Sequence, residues 1–301
     1  MNNTSLRKKL VVFILVSFSF SWALSFVFYF TKEFFREFST LILVLYMFGP
    51  TIGVVVTKKV FKEKILDLIK LKFNIWWVYG ILSILVIEIL TVLVSYVLGA
   101  GINTSWDQLK DTLVRFYEND QLQKIALDQL DLIGKSLNYS VFIYYVIVIL
   151  SGVIAGISIN AVAAFGEEFG WRGFLFEELK KFGFITSSFI IGFVWGLWHL
   201  PIIAMGHNFP QHPFEGIFLM ILFCVVLSFV MNYFRQKSGS VILSSMMHGT
   251  LNGIGGLYIY ANSVKNDILY NLTGVSGIIA VIVFIIILIL FDREVFLSKE
   301  Y

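Results

Sequence analysis

At 301 residues the chain has the length of one large soluble domain or two ordinary ones, but its composition excludes a soluble protein. Hydrophobic residues make up 58% and charged residues 14%, with a mean hydropathy of +0.83, so there is too little polar surface for water to solvate. The formal charge of +3 is small, and Cys224, the only cysteine, lies in an apolar run; nucleic-acid binding, disorder and a disulfide scaffold are excluded with it.

A bilayer core of roughly 30 Å requires about 20 apolar residues per helix. Stretches of that order fall near 10–30, 39–57, 75–100, 140–178, 184–205, 215–234, 239–261 and 272–292. The fold expected is therefore all-α, a polytopic membrane helix bundle of about eight transmembrane helices in a single membrane domain over 1–301. The first stretch is too long for a signal peptide and reads as a retained anchor. Sixteen of the 23 lysines and arginines fall on the face that holds the N-terminus and seven on the other, which predicts cytoplasmic termini and a multi-pass cell-membrane protein. The 140–178 run would extend roughly 58 Å as one helix, too long for one span; two spans would reverse the parity.

Between spans, residues 58–72 place Phe61, Ile65, Leu68 and Ile69 at near-helical spacing among lysines, which predicts an amphipathic surface helix. Residues 103–138, with Leu122, Ile125, Leu130 and Ile133 among Asp and Gln, predict an extracytoplasmic helical hairpin. Trp76 and Trp77 read as interfacial residues, and the glycines at 253, 255 and 256 as a close helix approach.

Ionisable groups at membrane depth are costly and mark functional sites. They concentrate in GEEFGWRGF (Glu167, Glu168, Arg172), FVWGLWHLP (Trp195, His199) and SMMHGTLNG (His248, Asn252). Glu167 and His199 each lie sixteen residues from Gly183, the turn between their helices, so both sit roughly 24 Å along antiparallel helices and level with one another. His248 lies roughly 16 Å beyond Lys237 by the same rise. Glu168 with Arg172, and His248 with Asn252, share helix faces at i,i+4. One polar cluster inside the bilayer is expected. Glu88, alone in the third span, reads as a buried hydrogen-bonding group outside the chemistry, and His207 and His212 as solvated loop residues.

EExxxR, aromatic-xxx-His and HxxxN, in this order on three late helices, resemble the CAAX-protease and bacteriocin-processing (Abi) family of intramembrane endopeptidases, related to the type II CAAX prenyl endopeptidase. The resemblance covers about 140–260 and departs at Trp195, where the family usually has Phe. It implies hydrolysis of a peptide bond in a peptide or membrane-protein substrate. Glu167 would activate water, His199 would hold it or share its proton, and His248 and Asn252 would donate to the oxyanion. Glu168 and Arg172 would pair and orient the motif. The resemblance leaves a cofactor open, none or a divalent metal such as zinc. Glu167, His199 and His248 are an adequate zinc ligand set, although no HExxH is present, and the metal-free water mechanism is the reading taken forward. Two other readings are a catalytically silent membrane scaffold or sensor of the same fold, and a proton-coupled transporter with a Glu167–His199 relay.

Overall fold

The computed structural model describes residues 3–31, 39–69, 71–116, 120–255, 257, 261 and 266–298. In chain order the helices are α1 (Asn3–Thr31), α2 (Ser39–Met47), α3 (Gly49–Val60), α4 (Trp76–Val97), α5 (Trp106–Phe116), α6 (Asp120–Ser136), α7 (Val141–Ile157) and α8 (Ile159–Glu168). A π-helical segment (Phe169–Leu175) and the short α9 (Phe176–Leu179) follow, then α10 (Phe184–Trp198), α11 (Leu200–Ala204), α12 (Pro213–Ser238) and α13 (Val241–Ile254). The last two are α14 (Val275–Phe291) and α15 (Arg293–Leu297). The all-helical, multi-pass expectation holds. Outward faces carry large apolar side chains, such as Phe142, Leu150, Ile154 and Ile159 on α7 and α8, as contact with lipid requires.

The eight expected spans are not eight continuous helices. Among the described residues, four stretches are long and apolar enough to cross by themselves: Thr4–Phe30, Thr40–Val60, Trp76–Val97 and Pro213–Ser238. The others are shorter or interrupted. The 184–205 span breaks at His199, two residues before Pro201, which has no N–H to continue the ladder. In the 239–261 span α13 ends at Ile254, Leu257 and Ala261 are again helical, and Gly256 and 258–260 lie outside the described residues.

The 140–178 run bends at Ser158 (φ −118°, ψ −99°) but does not turn back. Gly152 lies against Gly253, Gly156 against Thr250, and Gly173 comes near Val241. Asn160 Nδ2 donates to the Gly249 carbonyl at 3.4 Å. This order runs opposite to α13 throughout, so α7, α8 and the π-helical segment travel one way and the chain's parity does not change across them.

Helices in lipid gain little from the hydrophobic effect on meeting each other, so their association depends on close backbone approach at small residues. Among the described residues, five pairs of glycines spaced by four supply it. Gly49 and Gly53 of α3 meet Ser21 and Ser17 of α1, and Gly166 and Gly170 meet Met47 and Pro50. Gly192 and Gly196 of α10 lie on Val225 and Ile221 of α12. Gly249 and Gly253 of α13 meet the carbonyls of Gly156 and Gly152, where an added Cβ would lie 2.3 Å from each oxygen.

The surface helix expected over 58–72 does not form; Leu66–Leu68 makes a single 3-10 turn. Helix α3 continues through Lys58 and Lys59, Lys62 takes a positive φ of 54°, and Glu63 folds back onto buried cations. Glu63 pairs with Lys9 of α1 and with Lys58 at 2.6 Å, and Lys9 also reaches Glu178 at 3.1 Å. The lysines that would have floated an amphipathic helix are in part consumed by this cluster. Burial pushes the Glu63 carboxyl up, but hydrogen bonds and charge from Lys58 and Lys9 outweigh it and hold the group below its ordinary value.

Where the hairpin was expected, α5 and α6 form and share a small core of Trp106, Leu109, Leu113 and Leu130 with Tyr144 of α7. Ile125 and Ile133 are exposed, and the side chain of Leu122 lies outside the described residues.

Two outcomes are expected in detergent. Gly249→Val forces a branched side chain into the Gly156 carbonyl and lowers the melting temperature by several degrees, as overpacking of about 1–3 kcal/mol implies. The same change at Ile157, half exposed on the lipid side, leaves it within a degree or two. Because Glu63 binds its proton more weakly when folded, its contribution is full above the unfolded carboxyl's pKa and fades as pH falls through the folded one. Thermal melts across pH 3–6 should therefore separate wild type from Glu63→Gln at pH 6 and bring them together at the acid end.

Candidate active site

The sequence places two adjacent carboxylates at the end of α8, and a helix separates neighbours by about 100°, so they face different partners. Glu168 is fully buried and turns inward. Its Oε1 accepts from Arg172 Nη1 at 3.0 Å and from His248 Nδ1 at 2.8 Å. Arg172, also fully buried, donates a second bond from Nη2 to Ser228 Oγ at 2.9 Å. Its own carbonyl accepts from Arg235 Nε at 2.9 Å, and Arg235 reaches Glu177 at 3.0 Å. The π-helical register leaves backbone groups off the regular ladder, and such segments recur at functional sites. Arg172 is thus an internal ion-pair partner. Removing one member of such a pair typically costs about 3–5 kcal/mol.

Glu167 turns the other way, into a cavity, with 3% of its surface exposed. Its Oε2 accepts a hydrogen bond from Trp195 Nε1 at 2.8 Å. The Trp195 ring lies under the Arg172 guanidinium, whose carbon is 4.4 Å from the ring centroid, and its centroid is 5.8 Å from that of His199 and 5.6 Å from that of His248. The indole therefore touches all three motifs.

His199 sits at the junction of α10 and α11. The Trp198 carbonyl beside it accepts from Tyr46 Oη and from Trp22 Nε1 at 3.1 Å, which fastens α1 and α2 to the break. His199 Nδ1 lies 2.9 Å from the Trp195 carbonyl. A carbonyl can only accept, so Nδ1 carries the proton and Nε2 remains an acceptor. The same argument applies to His248, whose Nδ1–H points at the Glu168 carboxylate. Each imidazole has one nitrogen committed to the scaffold and Nε2 left over.

Glu167, Trp195, His199, His248 and Asn252 line one cavity of about 420 Å3. Glu168 and Arg172 stand behind that wall and are absent from the lining. The pattern predicted from the three motifs thus separates into lining and supporting residues. Sequence reasoning missed Tyr46 of α2, which carries no motif and reaches the cavity only because α2 docks on the helix break. It also missed the wall from Asn208 and from Asn271 to Thr273, where Asn271 Nδ2 donates to the Asn208 carbonyl at 2.6 Å. His207 lines the cavity, and His212 pairs with Asp267 at 2.6 Å, while the Gln211 N–H donates to the same carboxylate at 2.7 Å. His207 is exposed as expected, while the reading of His212 as merely solvated is corrected: Asp267 clips the two cavity-lining loops together. Glu88 is buried as expected, but both its carboxylate oxygens lack a hydrogen-bond partner.

Among the described residues no three or more His, Cys, Asp and Glu side chains are placed to hold one metal ion. Glu167, His199 and His248 share a cavity wall without converging as a ligand set.

Residues 141–254 match the family described as type II CAAX prenyl endopeptidase Rce1-like. A curated relative, CAAX prenyl protease 2 of Methanococcus maripaludis, is 28% identical over 146 residues, covering 46% of this chain and 50% of the relative. The chain thus spans half the length of the curated relative it matches. Every residue of the three motifs, from Glu167 to Asn252, falls within the matched segment, so it is the site-bearing part of the chain that is similar to the type II CAAX prenyl endopeptidase Rce1-like family.

Proposed function

We propose that the protein is an intramembrane endopeptidase that hydrolyses a peptide bond in a peptide or membrane-protein substrate entering the 420 Å3 cavity. The observation that carries this reading is the division of labour at the site. Glu167 faces the cavity with one oxygen anchored, while Glu168 beside it takes up the charges of Arg172 and His248. The relative's name is that of a protease acting on CAAX prenyl substrates. The proposal for this chain extends to peptide hydrolysis and leaves the lipid group aside.

In this mechanism Glu167 removes a proton from water through its unanchored oxygen, and the hydroxide attacks the scissile carbonyl. His199 Nε2, an acceptor by its tautomer, orients that water from the second side. The tetrahedral oxyanion then needs preorganised donors aimed at it. Asn252 Nδ2 is one. His248 is the other when its Nε2 carries a proton; as an imidazolium it has Glu168 as its counter-charge. Glu167 returns its proton to the leaving amine, which completes the cycle without a change in net charge.

The test is cleavage of a fluorescence-quenched peptide library by detergent-purified protein. Glu167→Ala should lower the rate by about 10³-fold or more with its melting curve unchanged. Asn252→Ala, which removes one oxyanion donor, should lower kcat by about 10²-fold to 10³-fold. Equal cleavage by wild type and Glu167→Ala would refute the hydrolase and favour a membrane scaffold. The metal-free route further predicts undiminished turnover after exhaustive chelation; recovery of activity only on adding back a divalent cation would overturn that route.

A further inference from the structure

We infer that Trp195 is a positioning residue for Glu167, fixing the aim of the carboxylate through its indole N–H; the inference rests on the hydrolase reading above. The motif of the family that this chain resembles usually carries Phe at this place, and Phe has no donor, so the hydrogen bond is one that the motif itself does not supply.

Four observations meet at this side chain. The indole donates from Nε1 to Glu167 Oε2 at 2.8 Å, inside the bundle where competing water is scarce. Trp195 is 2% exposed, so its ring is locked by packing and the bond is directional. Arg172 stacks its guanidinium on the ring, 4.4 Å from the centroid, and a cation on the π face draws electron density from the indole and strengthens N–H as a donor. Finally, the Trp195 carbonyl fixes His199 through Nδ1 at 2.9 Å. One residue thereby sets the aim of Glu167 with its side chain and of His199 with its backbone. Its contact with Arg172 links both to the buried Glu168 pair.

The chemical consequence is that Glu167 has one oxygen tied and one left for water. Without the tie, the side chain of Glu167 gains rotamers around χ3, and water activation requires its free oxygen within hydrogen-bond reach of the attacking water. The expected loss lies in the chemical step and not in substrate binding.

The test replaces only the N–H. Incorporation of β-(3-benzothienyl)alanine at position 195 keeps the bicyclic shape and the stacking on Arg172 but puts sulfur where the N–H was. Turnover should fall about 10-fold to 100-fold, as loss of a hydrogen bond to a charged group implies, with KM and melting temperature unchanged. Trp195→Phe, which also shortens the stack, should fall at least as far. Benzothienyl protein with wild-type kcat would overturn the inference, as would a loss confined to KM or to thermal stability. A readout independent of activity is the Trp195 indole peak in a 1H–15N correlation spectrum, assigned by its absence from Trp195→Phe. It should move on Glu167→Ala; a peak that stays in place refutes the contact itself. A peak that moves in a wild type that cleaves no peptide refutes the hydrolase reading alone.

Discussion

Glu168 is fully buried in a helix bundle that faces lipid, and a carboxylate there must be neutralised and hydrogen-bonded by protein groups. Arg172 answers it from the same helix face and His248 from α13, so one carboxylate ties the end of α8 to a helix eighty residues further on. Arg172 in turn reaches Ser228 of α12, and its carbonyl is held by Arg235 of the same helix. The constraint radiates outward. Three helices and the π-helical segment are placed by the requirement that this charge be satisfied, and the orientation of His248 follows from it.

Because Glu168 takes the hydrogen bonds of Arg172 and His248, Glu167 is left facing the cavity with its Oε2 held by the Trp195 indole. Adjacent carboxylates in one helix thus take opposite parts, one structural and buried behind the wall, the other lining it. The arrangement also requires helices close enough for short polar side chains to meet. The glycine pairs on α3, α7, α10 and α13 allow backbones to approach to contact, and the α7–α13 pairing brings α8, and with it Glu168, against His248. Packing and chemistry are coupled through the same helix.

Much of the site was legible beforehand for a physical reason. Charged residues inside apolar runs stand out against their background, and helical spacing turns i,i+4 separations into shared faces. The level match of Glu167 and His199 about the turn at Gly183 needed nothing more than the rise per residue. What failed were readings that rested on local patterns exposed to a competing tertiary contact. The lysines of 58–72 suit a surface helix until Lys9 and Lys58 capture Glu63. His212 looks solvated until Asp267, fifty-five residues away, closes on it. Tyr46 carried no signal at all, since its relevance comes from a helix break at His199 that it helps to cap.

Composition and the order of the motifs by themselves determined that this is a multi-pass helical membrane protein with one polar cluster in its second half, because lipid tolerates neither open backbone nor unpaired charge. The three-dimensional arrangement decided the rest. It bent the 140–178 run without reversing it and separated Glu167 from Glu168 by partner. It also set the indole N–H of Trp195 on the carboxylate. Each of these depends on which side chain from a distant helix arrives within 3 Å, and no spacing along one chain encodes that distance.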